Sequence, residues 1–168
     1  NSLSVLTNLV YKNADLSADY ITQLAKIYRY ILDKKFDNLV PLDTELDFLD
    51  SYLFLMRIRH QNSIVCTTDI EENVRLHGLI PPATLQMLIE NAIKHNRFST
   101  SDPLQISIKN NDGFLVVSNT LSIKLNNELS AGIGLENIRK RYQFTSGRSI
   151  GVLKTEAQFL VKLPIIIQ

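Results

Sequence analysis

A carboxylate, an amide, an ammonium and an imidazole fall close together at Glu90, Asn91, Lys94 and His95. The apolar spacing of Leu85, Leu88, Ile89, Ala92 and Ile93 predicts a helix running from Pro81-Pro82 to about Arg97. Those five residues form its buried face, with Met87, Glu90, Asn91 and Lys94 opposite and His95 at the border. Two chemistries suit this polar face. In one, Glu90 and Lys94 are an exposed i, i+4 ion pair worth a few tenths of a kcal/mol, and Asn91 and His95 are merely solvated. In the other, the face is a magnesium and phosphate site: an amide oxygen suits a hard cation that keeps several waters, and Lys94 and His95 face phosphate oxygens.

A second feature is the run Ala131 to Asn137, in which Gly132 and Gly134 end a loop and open a helix that reaches about Phe144. Glycine lets the backbone approach a ligand closely, and the free N–H groups of a first helical turn attract anions. A plain loop-to-helix junction accounts for the same pattern. On this helix Leu135, Ile138 and Tyr142 form the buried stripe. Arg139, Lys140 and Arg141 point in different directions, mostly into solvent.

The elements that must position these groups change character along the chain. Residues 1 to about 60 read as helical without a strand. Ile21, Leu24, Tyr28, Ile31 and Leu32 make one apolar stripe; Leu42, Leu46, Leu49, Leu53 and Met56 make another, widened by Phe48, Tyr52 and Leu55. Pro41 opens the second helix, with Asp43 and Glu45 in a first turn where the helix dipole favours acids. Beyond Arg59, β-branched or alternating segments near 63–70, 104–109, 114–119, 149–153 and 158–167 predict strands, with a hairpin turn at Asn110 to Gly113. The loop from Thr120 to Ala131 has the length of a lid. The class is α+β.

With 45% hydrophobic and 21% charged residues, the 168-residue chain can bury a proper core. Eighteen basic residues against 17 acidic ones leave a net charge of +1, so no strong field draws nucleic acid, which is set aside as a partner. Cys66, in a β-branched run with no second thiol, reads as a small buried hydrophobe in a reducing compartment. No apolar stretch approaches the roughly 20 residues that cross a bilayer. Helical spacing is already present at Leu3, Leu6 and Val10, so the expectation is that a segment upstream of Asn1 is missing.

Leu85 to Asn96 resembles the N box of LytS-type sensor histidine kinases, and Gly132 to Tyr142 resembles their glycine box. Asn1-Ser2-Leu3 is similar to the residues after the phosphoacceptor in the family's His-Phe-Leu-Phe-Asn-Ser-Leu motif. Leu42 to Arg59 resembles its second dimerisation helix, and Phe159 to Pro164 its closing strand. The resemblance implies a truncated helical dimerisation and phosphoacceptor region over 1–61 and an ATP-binding catalytic domain over 62–168. The latter would be a two-layer α/β sandwich of the Bergerat type, a mixed sheet with helices on one face, shared with gyrase, Hsp90 and MutL.

Carried over by residue, the resemblance makes Asn91 the magnesium ligand and puts Glu90, Lys94 and His95 at the catalytic face near the phosphates. Gly132, Gly134 and Leu135 would hold phosphates under the lid. Asn119 stands where the superfamily commonly has an adenine-binding aspartate, and still offers a carbonyl acceptor; the glycines that usually come next are missing, and Gln158 replaces a small hydroxyl residue. The cofactors implied are ATP and Mg2+, and the activity is γ-phosphoryl transfer to a histidine before Asn1 and then to a response-regulator aspartate. None of His60, His77 and His95 occupies the acceptor position; His60 is expected to cap its helix and His77 to sit in a polar loop.

The partners implied are a second copy of the chain and a cognate response regulator, the LytTR type being one option. The setting implied is the cytoplasmic part of a sensor anchored in the inner or plasma membrane through a segment outside this sequence. Two alternatives stay open: an ATPase of the gyrase or MutL kind, and a degenerate, non-catalytic dimerising signalling module. The ATPases carry a glutamate base one turn before the magnesium asparagine, where this chain has Met87, whose thioether cannot act as a base.

Overall fold

The computed structural model describes residues 2–122 and 133–167. Helices α1 (Ser2–Val10) and α2 (Ala14–Asp33) come first, then strand β1 (Val40–Pro41) and helix α3 (Leu42–Arg59). Strand β2 (Ile64–Asp69), helix α4 (Glu72–His77), strand β3 (Leu79–Ile80) and helix α5 (Thr84–His95) come next. Strands β4 (Leu104–Asn111) and β5 (Phe114–Thr120), helix α6 (Ile133–Ser146), and strands β6 (Gly151–Lys154) and β7 (Gln158–Pro164) complete the chain. The α+β expectation and the strand segments are met.

The main sheet runs β2-β4-β5-β7-β6, with β2 parallel to β4 and the other neighbours antiparallel. The β4–β5 hairpin turns on Asp112 (φ 48°) and Gly113 (φ 77°), two left-handed residues whose twist matches that of the strands. Its pleat sorts the side chains: Leu104, Ile106 and Ile108 are buried, whereas Gln105 and Lys109 are exposed. The buried face packs against Leu85, Leu88 and Ile89 of α5 and Ile138 and Tyr142 of α6, giving two layers. The same core continues into Leu42, Leu46, Leu49 and Leu53 of α3.

Four local expectations need correction. A strand does occur before residue 60: β1 pairs antiparallel with β3, Val40 opposite Ile80, and both side chains are fully buried. Two residues are too few to show a period, so only the partner reveals the strand. His77 lies not in a loop but at the end of α4. On α2 the buried positions are Ser17, Tyr20 and Ile27, while Ile21, Tyr28 and Leu32 are 50, 59 and 71% exposed; of the stripe read from the sequence Leu24 packs against the core and the rest faces outward. Met87 and Ile93 are both half-buried and pack against the core, so the two faces of α5 are less sharply divided than expected. His60 is the C-cap of α3, as expected. Cys66 is half-buried. No helix among the described residues is long and apolar enough to cross a membrane.

Candidate functional site

Helix α5 carries the polar groups singled out by spacing. Leu85, Leu88, Ile89 and Ala92 are buried, so the helix is fixed in rotation and its other face turns toward solvent and α6. Glu90 is exposed and its carboxylate accepts a hydrogen bond from Gln86 Nε2 at 2.9 Å. Asn91 is half-buried, Lys94 exposed and His95 half-buried. Beside this face the Tyr52 hydroxyl of α3 is pushed up to about 12 by burial and then by the charge of Glu90.

The start of α6 comes down onto Asn91. A Cβ at residue 134 would lie 3.0 Å from Asn91 Nδ2 and 3.1 Å from Oδ1, so glycine lets the amide sit here without giving way by the few tenths of an ångström a side chain would require. A neutral amide carrying an oxygen acceptor is thereby placed against a first helical turn, whose free N–H groups favour an anion. The next residue, Leu135, is half-buried. Gly132 and most of the loop read as a lid lie outside the described residues.

Asn119, at the end of β5, is buried and lines a cavity of about 10 Å³ together with Leu88, Ala92, Ile106, Val117 and Phe159. That is room for about one water molecule, so a planar base would have to displace side chains to enter. Asn119 Nδ2 donates to the Thr120 carbonyl at 2.6 Å. Gln158 is exposed and opposite Thr120, at the mouth end of β7.

The roles of two residues here escaped the sequence reading. Asn96 is buried just past α5; its Nδ2 donates to Ala92 O at 2.9 Å and its Oδ1 accepts from Ser122 N at 2.8 Å. It pins the chain leaving β5 to the end of the helix that carries Asn91. The second is Glu45, read as an acid favoured by its own helix dipole. It is 0% exposed, and its carboxyl reaches across to α5, accepting from Leu85 N and Ala83 N at 2.9 Å each and from the Tyr30 hydroxyl. Burial pushes the Glu45 carboxyl up, while those donors and the Arg141 charge hold it back. An acid following Pro41 signals a helix start; nothing local signals that it serves another helix.

A mixed sheet with α5 and α6 on one face is the arrangement of histidine kinase catalytic domains. The nucleotide-free catalytic domain of the histidine kinase ThkA superposes with a TM-score of 0.50 at 18% identity, covering 77% of this chain and 97% of that one. Residues 1–64 match the family model described as Histidine kinase. By sequence the chain is a homologue of the LytS-type sensor histidine kinases. Sensor protein LytS of Enterococcus faecalis is 30% identical over 108 residues, 64% of this chain and 18% of that protein. Sensor protein LytS of Oceanobacillus iheyensis is 30% identical over 141 residues, 81% of this chain and 22% of that protein. The sensor histidine kinase/phosphatase LytS of Staphylococcus aureus is 30% identical over 95 residues, 56% of this chain and 16% of that protein. The chain thus spans about a fifth of the length of these relatives.

Proposed function

We propose that this chain is the nucleotide-binding catalytic part of a LytS-type sensor histidine kinase, which passes the γ-phosphoryl group of Mg-ATP to a histidine outside these 168 residues and thence to a response-regulator aspartate. The observation that carries this reading is the contact of Gly134 with the Asn91 amide, which joins the N box to the glycine box. Adenine would enter beside Asn119 and Phe159, and the phosphates would lie between the start of α6 and the face bearing Glu90, Lys94 and His95.

The donor set fits a metal that arrives with nucleotide. Among the described residues no group of three or more His, Cys, Asp or Glu side chains is placed to hold a metal ion. A single amide oxygen at Asn91 instead suits magnesium whose remaining ligands are phosphates and water. Bound in this way, magnesium would neutralise charge on the transferring group. The chain's own work is to orient the nucleotide through Asn91, Asn119 and the first turn of α6, and to place cationic groups beside the phosphates. Met87 packs half-buried one turn before Asn91 and offers no base for water, which favours transfer over hydrolysis.

Residues 1–61 serve in this reading as the dimerisation segment and 62–168 as the ATP-binding unit. The outward Ile21, Tyr28 and Leu32 stripe of α2 supports a second copy as its cover. Each of the three histidines present lies at the end of a helix. His60 ends α3 with its ring 5.3 Å edge-on to Phe98, His77 lies with Nδ1 3.0 Å from Asn73 O, and His95 is half-buried at the end of α5.

Incubation with γ-labelled ATP tests the proposal. The chain alone should gain no acid-labile, base-stable label, and a polypeptide extended upstream through the acceptor motif should gain it at the added histidine. Label on His60, His77 or His95, or undiminished label after that added histidine is changed to glutamine, would overturn the assignment.

A further inference from the structure

Among the described residues, Glu45 is the one carboxylate, ammonium or guanidinium side chain that is fully buried. Taking a carboxyl out of water is costly unless its acceptors are used, and here both oxygens are engaged. Oε1 accepts from Leu85 N at 2.9 Å; Oε2 accepts from Ala83 N at 2.9 Å and from the Tyr30 hydroxyl. These donors belong to the start of α5 and to α2, whereas Glu45 belongs to α3.

The start of α5 has no cap of its own. Its N-cap residue is Ala83, held left-handed at φ 58°, ψ 16°, with no side-chain cap hydrogen bond. A serine, threonine or aspartate at that position would ordinarily accept a first-turn N–H locally. Instead the acceptor comes from another helix. The same turn is gripped from α6, where Arg141 Nη1 donates to Pro82 O at 2.8 Å, and from within, where Thr84 Oγ1 of α5 itself donates to Pro81 O at 2.6 Å. Two turns along α5 lies Asn91, against Gly134 of α6. A helix is stiff over that length, so what holds its first turn also sets where Asn91 stands.

We propose that Glu45 is a positioning residue for the site: by gripping the first turn of α5 from α3, it sets the place of Asn91 beneath Gly134 and ties the site to the packing of the helical segment. The nucleotide part of this inference rests on the function proposed above. The coupling requires no contact between Glu45 and any ligand; it needs one rod with a fixed end and a working end. Glutamine at residue 45 keeps an acceptor for Leu85 N but presents an NH2 where Ala83 N–H and the Tyr30 hydroxyl need an oxygen. Aspartate keeps both acceptors on a shorter stem.

The test compares the parent 168-residue chain with Glu45→Gln and Glu45→Asp. Thermal melts establish folding, NMR of the ligand-free proteins follows the Asn91 side-chain amide and the Gly134 N–H, and calorimetry measures Mg-ADP affinity. The expected result is a folded Glu45→Gln with displaced Asn91 and Gly134 resonances and affinity weakened by about three- to thirtyfold, and a smaller change in the same direction for Glu45→Asp. A folded Glu45→Gln with unmoved resonances and parental affinity overturns the inference. Should Glu45→Gln not fold, the same two readings on Glu45→Asp decide. Should the parent fail to bind Mg-ADP, the functional reading falls, and the ligand-free resonances alone decide whether Glu45 positions Asn91.

Discussion

Asn91 packs so closely on Gly134 that a Cβ at residue 134 would lie 3.0 Å from its Nδ2 and 3.1 Å from its Oδ1. A methyl group there makes the amide give by a few tenths of an ångström. Alanine in place of glycine normally favours a helix by up to about 1 kcal/mol, so Gly134→Ala should melt within a few degrees of the parent. Its Mg-nucleotide affinity should nevertheless fall by about tenfold or more, which is about 1.4 kcal/mol. Calorimetry beside a thermal melt separates the two effects, and parental affinity would show that Asn91 need not stay where it is.

Asn91→Ala and Leu88→Ala should fail in opposite ways. Asn91 is half-buried on the face toward α6, so its loss should abolish magnesium-dependent nucleotide binding with the fold intact. Leu88 is buried at 5% exposure in the core, and its truncation should cost about 2–5 kcal/mol of stability. Denaturant titration and nucleotide calorimetry on both variants give the comparison. Magnesium titrated without nucleotide should produce no heat, because one amide oxygen is too small a ligand set.

The Cys66 thiol is raised from an ordinary 9.0 to about 11, chiefly by burial, with Arg57 acting in the opposite sense. At pH 8 the thiolate fraction is then about 100-fold below that of an exposed cysteine. Ellman's reagent should label the native chain about 100-fold more slowly than the same chain in denaturant. The raised value also means that the thiol's contribution to stability is whole below 9 and is lost as pH climbs through about 11.

Glu45 gives stability a pH dependence at the acid end. Its carboxyl is raised above the ordinary 4.5, first by burial, against the pull of Tyr30, Leu85, Ala83 and Arg141. A group raised in the folded state supports the fold most fully below its unfolded value and loses that contribution as pH rises through its folded value. The melting temperature of the parent should therefore gain on that of Glu45→Gln as pH is lowered from 8 to 5. A difference that is flat, or that grows in the other direction, would mean that Glu45 is ionised at little cost.

Much of this protein could be read from residue order because periodicity and turn chemistry are local. The alternation of Leu104, Ile106 and Ile108, the Asp112-Gly113 turn and the three- and four-residue spacing of Leu85 to Ala92 each reflect the geometry of one element, and each is met in the structure. Asn91 and Gly134 were recognisable as members of two motifs for the same reason.

Tertiary structure decided the relations between elements. Nothing near Val40 shows that it pairs with Ile80, because a two-residue strand exists only through its partner. The Ile21, Tyr28 and Leu32 stripe has helical spacing whichever way it faces, and packing of Tyr20 and Ile27 inward turned it out. An acid after Pro41 fits a helix start, yet the uncapped first turn that Glu45 serves begins beside Ala83 on another helix. Spacing fixes the face of a helix on which a side chain lies; which N–H, amide or apolar surface meets that face depends on how the whole core closes, and that distance-dependent pairing has no local signature.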